Sequence, residues 1–150
     1  MNFRLSDEQR ALQEAARRYV RERLPAIARD IEATGKPPPR ELLREYAEMG
    51  FLGINVPERY GGLGLGNLEA LLVLEEFGKC SSAVAFPVFE SCVGPVRAIE
   101  HFAGEELKRR VVPRVCRGEI VVAVAMSEPH AGSALTDLTT RGEIRGDRVI

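Results

Sequence analysis

Ser127 and Ser133 are two hydroxyls six positions apart, and Glu128-Pro129-His130-Ala131-Gly132 between them are mostly small or turn-forming residues. An apolar stretch from Ile120 precedes them and reads as a buried strand that breaks into this loop. A Gly next to a Ser leaves the backbone open to close approach. The spacing therefore suits a loop that meets a flat ligand with polar edges. Val124 and Met126, two positions apart at the end of the stretch, read as core when taken as bare residues. Ser127 divides evenly between ligand contact and a strand-end hydroxyl that caps the loop.

The remaining reactive side chains point to less. Cys80, Cys92 and Cys116 are an odd number without a CxxC pairing or a nearby His doublet, so neither a disulfide framework nor a zinc site is indicated and reduced, partly buried thiols are expected. His101 and His130 are isolated. The glycine-rich run Gly61 to Gly66 follows no β-α-β strand and lacks the Lys-Ser/Thr of a P-loop, so it reads as a structural loop. Lys108 to Arg117 is a basic cluster without interleaved aromatics, read as a solvated helix face. Glu90 is a charge among Phe86, Val88, Phe89 and Val93, which either pairs with a cation or faces a cavity.

Bulk properties narrow the classes. In 150 residues, 21 Lys and Arg against 22 Asp and Glu leave a formal net charge of −1, which gives no reason to expect nucleic acid or an anionic membrane as partner. No apolar stretch approaches the roughly 20 residues of a spanning helix. Met1 to Arg10 is too polar for a signal peptide, so a cytoplasmic location is expected.

The elements that must position these residues are largely helical. Ser6-Asp7-Glu8-Gln9 has the form of a capping box, with Leu5 as staple and Leu12, Ala15, Ala16, Tyr19 and Val20 at helical spacing behind it. Pro25 is expected to kink or end that helix, leaving a shorter piece over Ala26 to Ala33 that Gly35 stops, followed by a stiff Lys36-Pro37-Pro38-Pro39 connector. Further helices are read over Arg40 to Met49, with Leu42, Leu43, Tyr46 and Met49 on one face and Gly50 after it, and over Asn67 to Phe77, apolar on more than one face. Another runs from Ser81-Ser82 to about Val93, Pro95 suits the first turn of the next, and Gly104-Glu105-Glu106 opens a last one with basic residues toward its end. The period changes near Gly118, and Arg141 to Ile150 reads as a hairpin turning at Arg145-Gly146-Asp147. Helices followed by strands give a mainly α fold of two units: a helical domain over 1–117 and the beginning of a β domain over 118–150. The chain reads as the N-terminal part of a longer protein.

Val124 to Ser133 resembles the Thr/Ser-Glu-Pro-x-Ala-Gly-Ser signature of the acyl-CoA dehydrogenase family. Further markers come in the family's order: Leu5 to Gln9, Glu41-Leu42-Leu43 to Gly53, Val56 to Gly64, Leu74 to Gly78 and Gly104 to Lys108. The resemblance implies a helical bundle, a middle β-barrel of which only the first strands are present, a C-terminal helical domain, and assembly into a homotetramer or homodimer. It implies FAD as cofactor, an acyl-CoA substrate and electron-transfer flavoprotein as acceptor. Val124, Met126, Ser127, Gly132 and Ser133 would contact FAD, and Ser133, Glu90 and Gly94 the substrate. The catalytic base, usually a glutamate, would lie beyond Ile150; Glu128 would only fix its loop. The 150 residues alone would be inactive and hold FAD weakly. The family's Asp after Gly-Ser is replaced by Ala134, which bears on CoA contacts and substrate class. An acyl-CoA oxidase or flavin monooxygenase of the same superfamily, or a non-catalytic helical interaction module, are the other readings.

Overall fold

In a computed structural model describing residues 4–150, six α-helices are followed by a loop-rich segment and a two-stranded hairpin. Met1 to Phe3, part of the polar N-terminal stretch, lie outside the described residues.

Helix α1 (Asp7–Thr34) starts where expected. The Ser6 Oγ accepts the Gln9 N–H at 3.2 Å and Gln9 Oε1 accepts the Ser6 N–H at 2.9 Å, closing a capping box. Pro25 does not end the helix, which runs on unbroken to Gly35 at φ 65. Leu24 and Ala28 are buried on either side of it in the larger apolar cluster, and Pro25 lines an open groove with Arg21. Packing of those two residues against the other helices offsets the lost bond.

Helix α2 (Arg40–Glu48) buries Leu42, Leu43 and Tyr46, whereas Met49 falls just past its end and is 51% exposed. Helix α3 (Asn67–Gly78) packs between α1 and α4 (Ser82–Cys92), burying Ala70, Leu72, Val73 and Phe77. Pro87 sits buried inside α4. Helices α5 (Pro95–Phe102), with Pro95 in its first turn, and α6 (Glu105–Cys116) complete the set.

Two apolar clusters hold these helices. The larger takes Ala16, Val20 and Leu24 from α1, Tyr46 from α2, Val73 and Phe77 from α3, and Val84 and Val88 from α4, with Phe51 and Ile54 from the connection after α2. At its centre Phe77 meets Tyr46 and Phe51 edge-on at 5.1 and 5.2 Å and stacks on Tyr19 at 6.0 Å. The Tyr46 hydroxyl donates to the Val84 carbonyl at 3.1 Å, satisfying the one polar atom of an otherwise apolar ring. The smaller cluster, Val56, Tyr60, Val96, Val112, Val115 and Cys116, joins α5 and α6 to the loop before α3. That loop is structural, as the glycine run implies. A Cβ on Gly62 would lie 2.2 Å from the Val56 carbonyl oxygen, so only glycine permits the chain to fold back on itself there.

α4 and α5 together form a 21-residue run, Ser82–Phe102, whose apolar window has a mean hydropathy of 1.2 and is 44% buried. By length and composition the run also suits a membrane span, contrary to the expectation that no apolar stretch approaches that length. Its Val84, Ala85, Val88, Cys92 and Val96 are buried among the other helices.

The strand expected from Ile120 is not formed. Ile120 to Ser127 is extended without a partner strand, and only Ile120 and Val122 are half-buried, against the smaller cluster. Val121, Val124 and Met126 are 50%, 49% and 54% exposed. A strand needs a neighbour to satisfy its backbone, and the described residues supply none. The terminal hairpin does form: β1 (Ile144–Arg145) pairs antiparallel with β2 (Arg148–Val149) around Gly146 at φ 65, and Glu143 and Ile150 extend the ladder.

Candidate functional site

The exposed segment from Val124 to Ser133 is built in two parts. Val124 and Met126 lie on the extended approach, with Ser127 exposed beside them. The chain then turns sharply: Glu128 N–H donates to the Ala131 carbonyl at 2.8 Å and Ala131 N–H donates back at 3.1 Å, with Ala131 buried at the base. Gly132 follows with open space where a Cβ would stand, and Ser133 is exposed. Five residues singled out from the sequence are thus exposed within one ten-residue segment, on either side of the buried Ala131.

Glu128 explains the shape of the turn. Its Oε2 accepts the backbone N–H of Thr139 at 2.9 Å and that residue's hydroxyl at 3.0 Å; its Oε1 accepts the N–H of Thr140 at 2.7 Å and the Thr140 hydroxyl. The Thr140 hydroxyl first, then the two backbone N–H groups, hold this carboxyl down at about 2. A carboxylate so fully occupied by donors is no proton acceptor at neutral pH. The loop-fixing role expected for it is what the bonding shows. His130 Nε2 lies 3.4 Å from Glu128 Oε2 and 3.3 Å from the Thr139 hydroxyl, on an exposed ring. Thr139 and Thr140 were not legible as site residues; eleven and twelve positions from Glu128, they carry no local signal.

Glu90 and Gly94 lie elsewhere, on α4 and at the N-cap of α5. Glu90 is half-buried, and burial alone raises its carboxyl above the ordinary range. Phe86 and Phe89 beside it are 55% and 38% exposed and meet edge to face at 5.8 Å. Gly94 is spatially constrained, because a Cβ there would stand 2.9 Å from the Phe89 ring. The link between the two regions is Val96, the second residue of α5, which shares the smaller cluster with Ile120 and Val122. Val124 and Met126 thus continue a run anchored against the smaller cluster, to which α5 contributes Val96, while Glu90 and Gly94 occupy the helical side.

The other sequence candidates take structural roles. Three residues of the basic cluster are paired on the surface: Arg109 with Glu105, and Arg114 and Arg117 with Glu119. His101 bonds Arg97 at 2.9 Å and lies 3.3 Å from buried Glu100. Cys92 and Cys116 are buried thiols and Cys80 is half-buried. A groove of about 950 Å³ between α1 and the α3–α4 turn contains none of the predicted site residues. It is lined by Arg17, Arg21, Arg29, Glu32, Glu76 and Lys79 among others, and Glu76, buried there, is bridged by Arg17 at 3.0 Å and Lys79 at 2.9 Å.

Comparison with known proteins bears on this arrangement. The family described as acyl-CoA dehydrogenase, N-terminal domain, matches residues 6–119. The chain is 33% identical over 147 residues to mitochondrial isovaleryl-CoA dehydrogenase of Pongo abelii, covering 97% of the chain and 35% of that protein. Among solved structures it superposes on a glutaryl-coenzyme A dehydrogenase complexed with glutaryl-CoA at a TM-score of 0.90 and 30% identity, covering 99% of the chain and 38% of the other. It is also similar to PigA in its FAD complex, at a TM-score of 0.82 and 28% identity, over 95% of the chain and 37% of that protein. The chain thus spans little more than a third of the length of the relatives it matches.

Proposed function

The chain belongs to the acyl-CoA dehydrogenase family, and from that premise we propose that it is the N-terminal portion of an FAD-dependent enzyme that desaturates an acyl-CoA thioester between its α and β carbons. The observation that carries the reading is the exposed Val124–Ser133 stretch, placed directly after the helical unit that matches the family. FAD, when bound, supplies acceptance of the hydride.

The residues present fit such a group. Val124 and Met126 leave half of their surface uncovered, so they offer an apolar strip against which a flat ring can pack and from which water is displaced. Ser127 puts a hydroxyl and a backbone at the end of that strip, where hydrogen bonds would stabilise charge building on a polar ring edge. The open space at Gly132 permits close backbone approach, with Ser133 as a second hydroxyl for the cofactor or the CoA moiety. Glu90 and Gly94 would border the acyl chain, where the raised carboxyl of Glu90 is the more tolerable in an apolar channel because it is more easily neutral. The base that takes the α-proton is assigned to residues after Ile150. Electron-transfer flavoprotein is the proposed acceptor, and a homotetramer or homodimer the proposed assembly.

The test uses the full-length polypeptide. After purification and incubation with FAD, a panel of acyl-CoA thioesters including isovaleryl-CoA and glutaryl-CoA is added without oxygen and bleaching of the flavin band is followed. Substrate-dependent bleaching supports the reading. A protein that stays colourless after reconstitution with FAD defeats it.

A further inference from the structure

The four-donor clamp on Glu128 has no counterpart elsewhere among the described residues. Each carboxylate oxygen takes one backbone N–H and one hydroxyl, so both oxygens are saturated by two consecutive residues. The bonds close a thirteen-residue loop, 128–140, which carries Gly132, Ser133, Ala134 and the short 3-10 turn Leu135–Asp137. Ala131 is buried beneath the turn, while most of the loop is exposed and without an apolar core of its own. Loops of this kind keep one shape only through specific polar contacts. Here those contacts converge on a single side chain, one residue after Ser127.

We propose that Glu128 is a positioning residue for flavin binding. Through Thr139 and Thr140 it sets the backbone between Ser127 and Ser133 in the shape that presents both hydroxyls and the Gly132 opening to the cofactor. The inference rests on the proposed FAD-dependent function. It assigns the shape of that site to three residues that do not themselves touch the ring.

The geometry specifies which substitutions matter. Glu128→Gln keeps the length of the side chain but turns one acceptor into a donor that faces N–H groups. Thr139→Val with Thr140→Val keeps the β-branched shape and both backbone donors and removes both hydroxyls. Thr139→Ser with Thr140→Ser restores the hydroxyls. In the full-length protein, FAD is titrated into the apoprotein and the flavin's visible band and midpoint potential are recorded, with circular dichroism to confirm folding. Glu128→Gln and the double valine variant are expected to weaken FAD binding roughly 10- to 100-fold, the loss that removing the outer hydrogen-bonding partners of a bound group's contacts causes at metal sites, and to shift the midpoint potential. The double serine variant is expected to match the parent. If both impaired designs fold and hold FAD with the parent's affinity and potential, the proposal is overturned, as it is if serine fails where valine fails. Should Glu128→Gln not fold, the valine and serine pair decide by the same criteria. A parent protein that takes up no FAD overturns the functional reading itself, and is recognised because no variant comparison then exists.

Discussion

Replacing Phe77 by alanine tests the core that holds the helical unit together. Phe77 is fully buried in the last turn of α3, and its ring is shared by α1 through Tyr19, by α2 through Tyr46 and by the following connection through Phe51. Truncating a buried phenylalanine removes its transfer free energy and leaves a cavity, together costing about 3–5 kcal/mol. The two edge-on partners at 5.1 and 5.2 Å argue for the upper half of that range, since each such pair adds about 0.5–1.5 kcal/mol. A loss of about 4 kcal/mol is a large fraction of the roughly 5–15 kcal/mol of a typical domain. With a urea slope of about 2 kcal/mol/M the unfolding midpoint falls by about 2 M. The assay is urea unfolding followed by far-ultraviolet circular dichroism, with Phe102→Ala as control. Phe102 is 88% exposed and its removal is expected to change stability by less than about 0.5 kcal/mol. A Phe77→Ala midpoint within the error of the Phe102→Ala midpoint would refute the placement of α3 at the centre of the bundle.

Gly53 sits at φ +67 with a hypothetical Cβ 2.4 Å from Cys116 Sγ, so Gly53→Ala should lower the thermal midpoint far more than Gly104→Ala, which meets nothing within 4 Å; equal midpoints would contradict the packing of α6 against that turn. Arg17 first, then Lys79, holds the buried Glu76 carboxyl below its ordinary value. A depressed carboxyl contributes stability above its unfolded value near about 4.3 that is lost as pH falls through the folded one. The urea-midpoint advantage of the parent over Glu76→Gln should therefore be present at neutral pH and shrink below about pH 4. A pH-independent gap would show that the carboxylate charge contributes nothing. Burial raises all three thiols, that of Cys116 to about 11, but Cys80 is half-buried where Cys92 and Cys116 are buried. Iodoacetamide at mildly alkaline pH should label Cys80 first by peptide mass spectrometry, and prior labelling of Cys116 would contradict its burial.

The helical part was legible because its signals are local. Ser6 and Gln9 cap one another across a single turn, Gly35 takes the left-handed conformation that ends α1, and Pro95 falls in the first turn of α5 where its missing N–H costs nothing. Each depends on residues within a turn of itself. That α1 does not end at Pro25 was not legible because the cost of a proline is local while its compensation is not: Leu24 and Ala28 are held by other helices. The run from Ile120 was misread for the complementary reason. Its apolar residues suit a strand, but pairing is a property of two strands, and no partner stands beside it among the described residues.

Residue order and spacing by themselves determined where helices begin and stop, the family to which the chain belongs and the exposed word from Val124 to Ser133. Those depend on side-chain periodicity and on caps that act over three or four residues. Which side of α3 is covered and how Glu128 is occupied were decided only in three dimensions. Thr139 and Thr140 reach that carboxylate because the chain turns back on itself after Ala131, and no pattern of hydrophobicity along the chain encodes a bond between residues eleven and twelve apart.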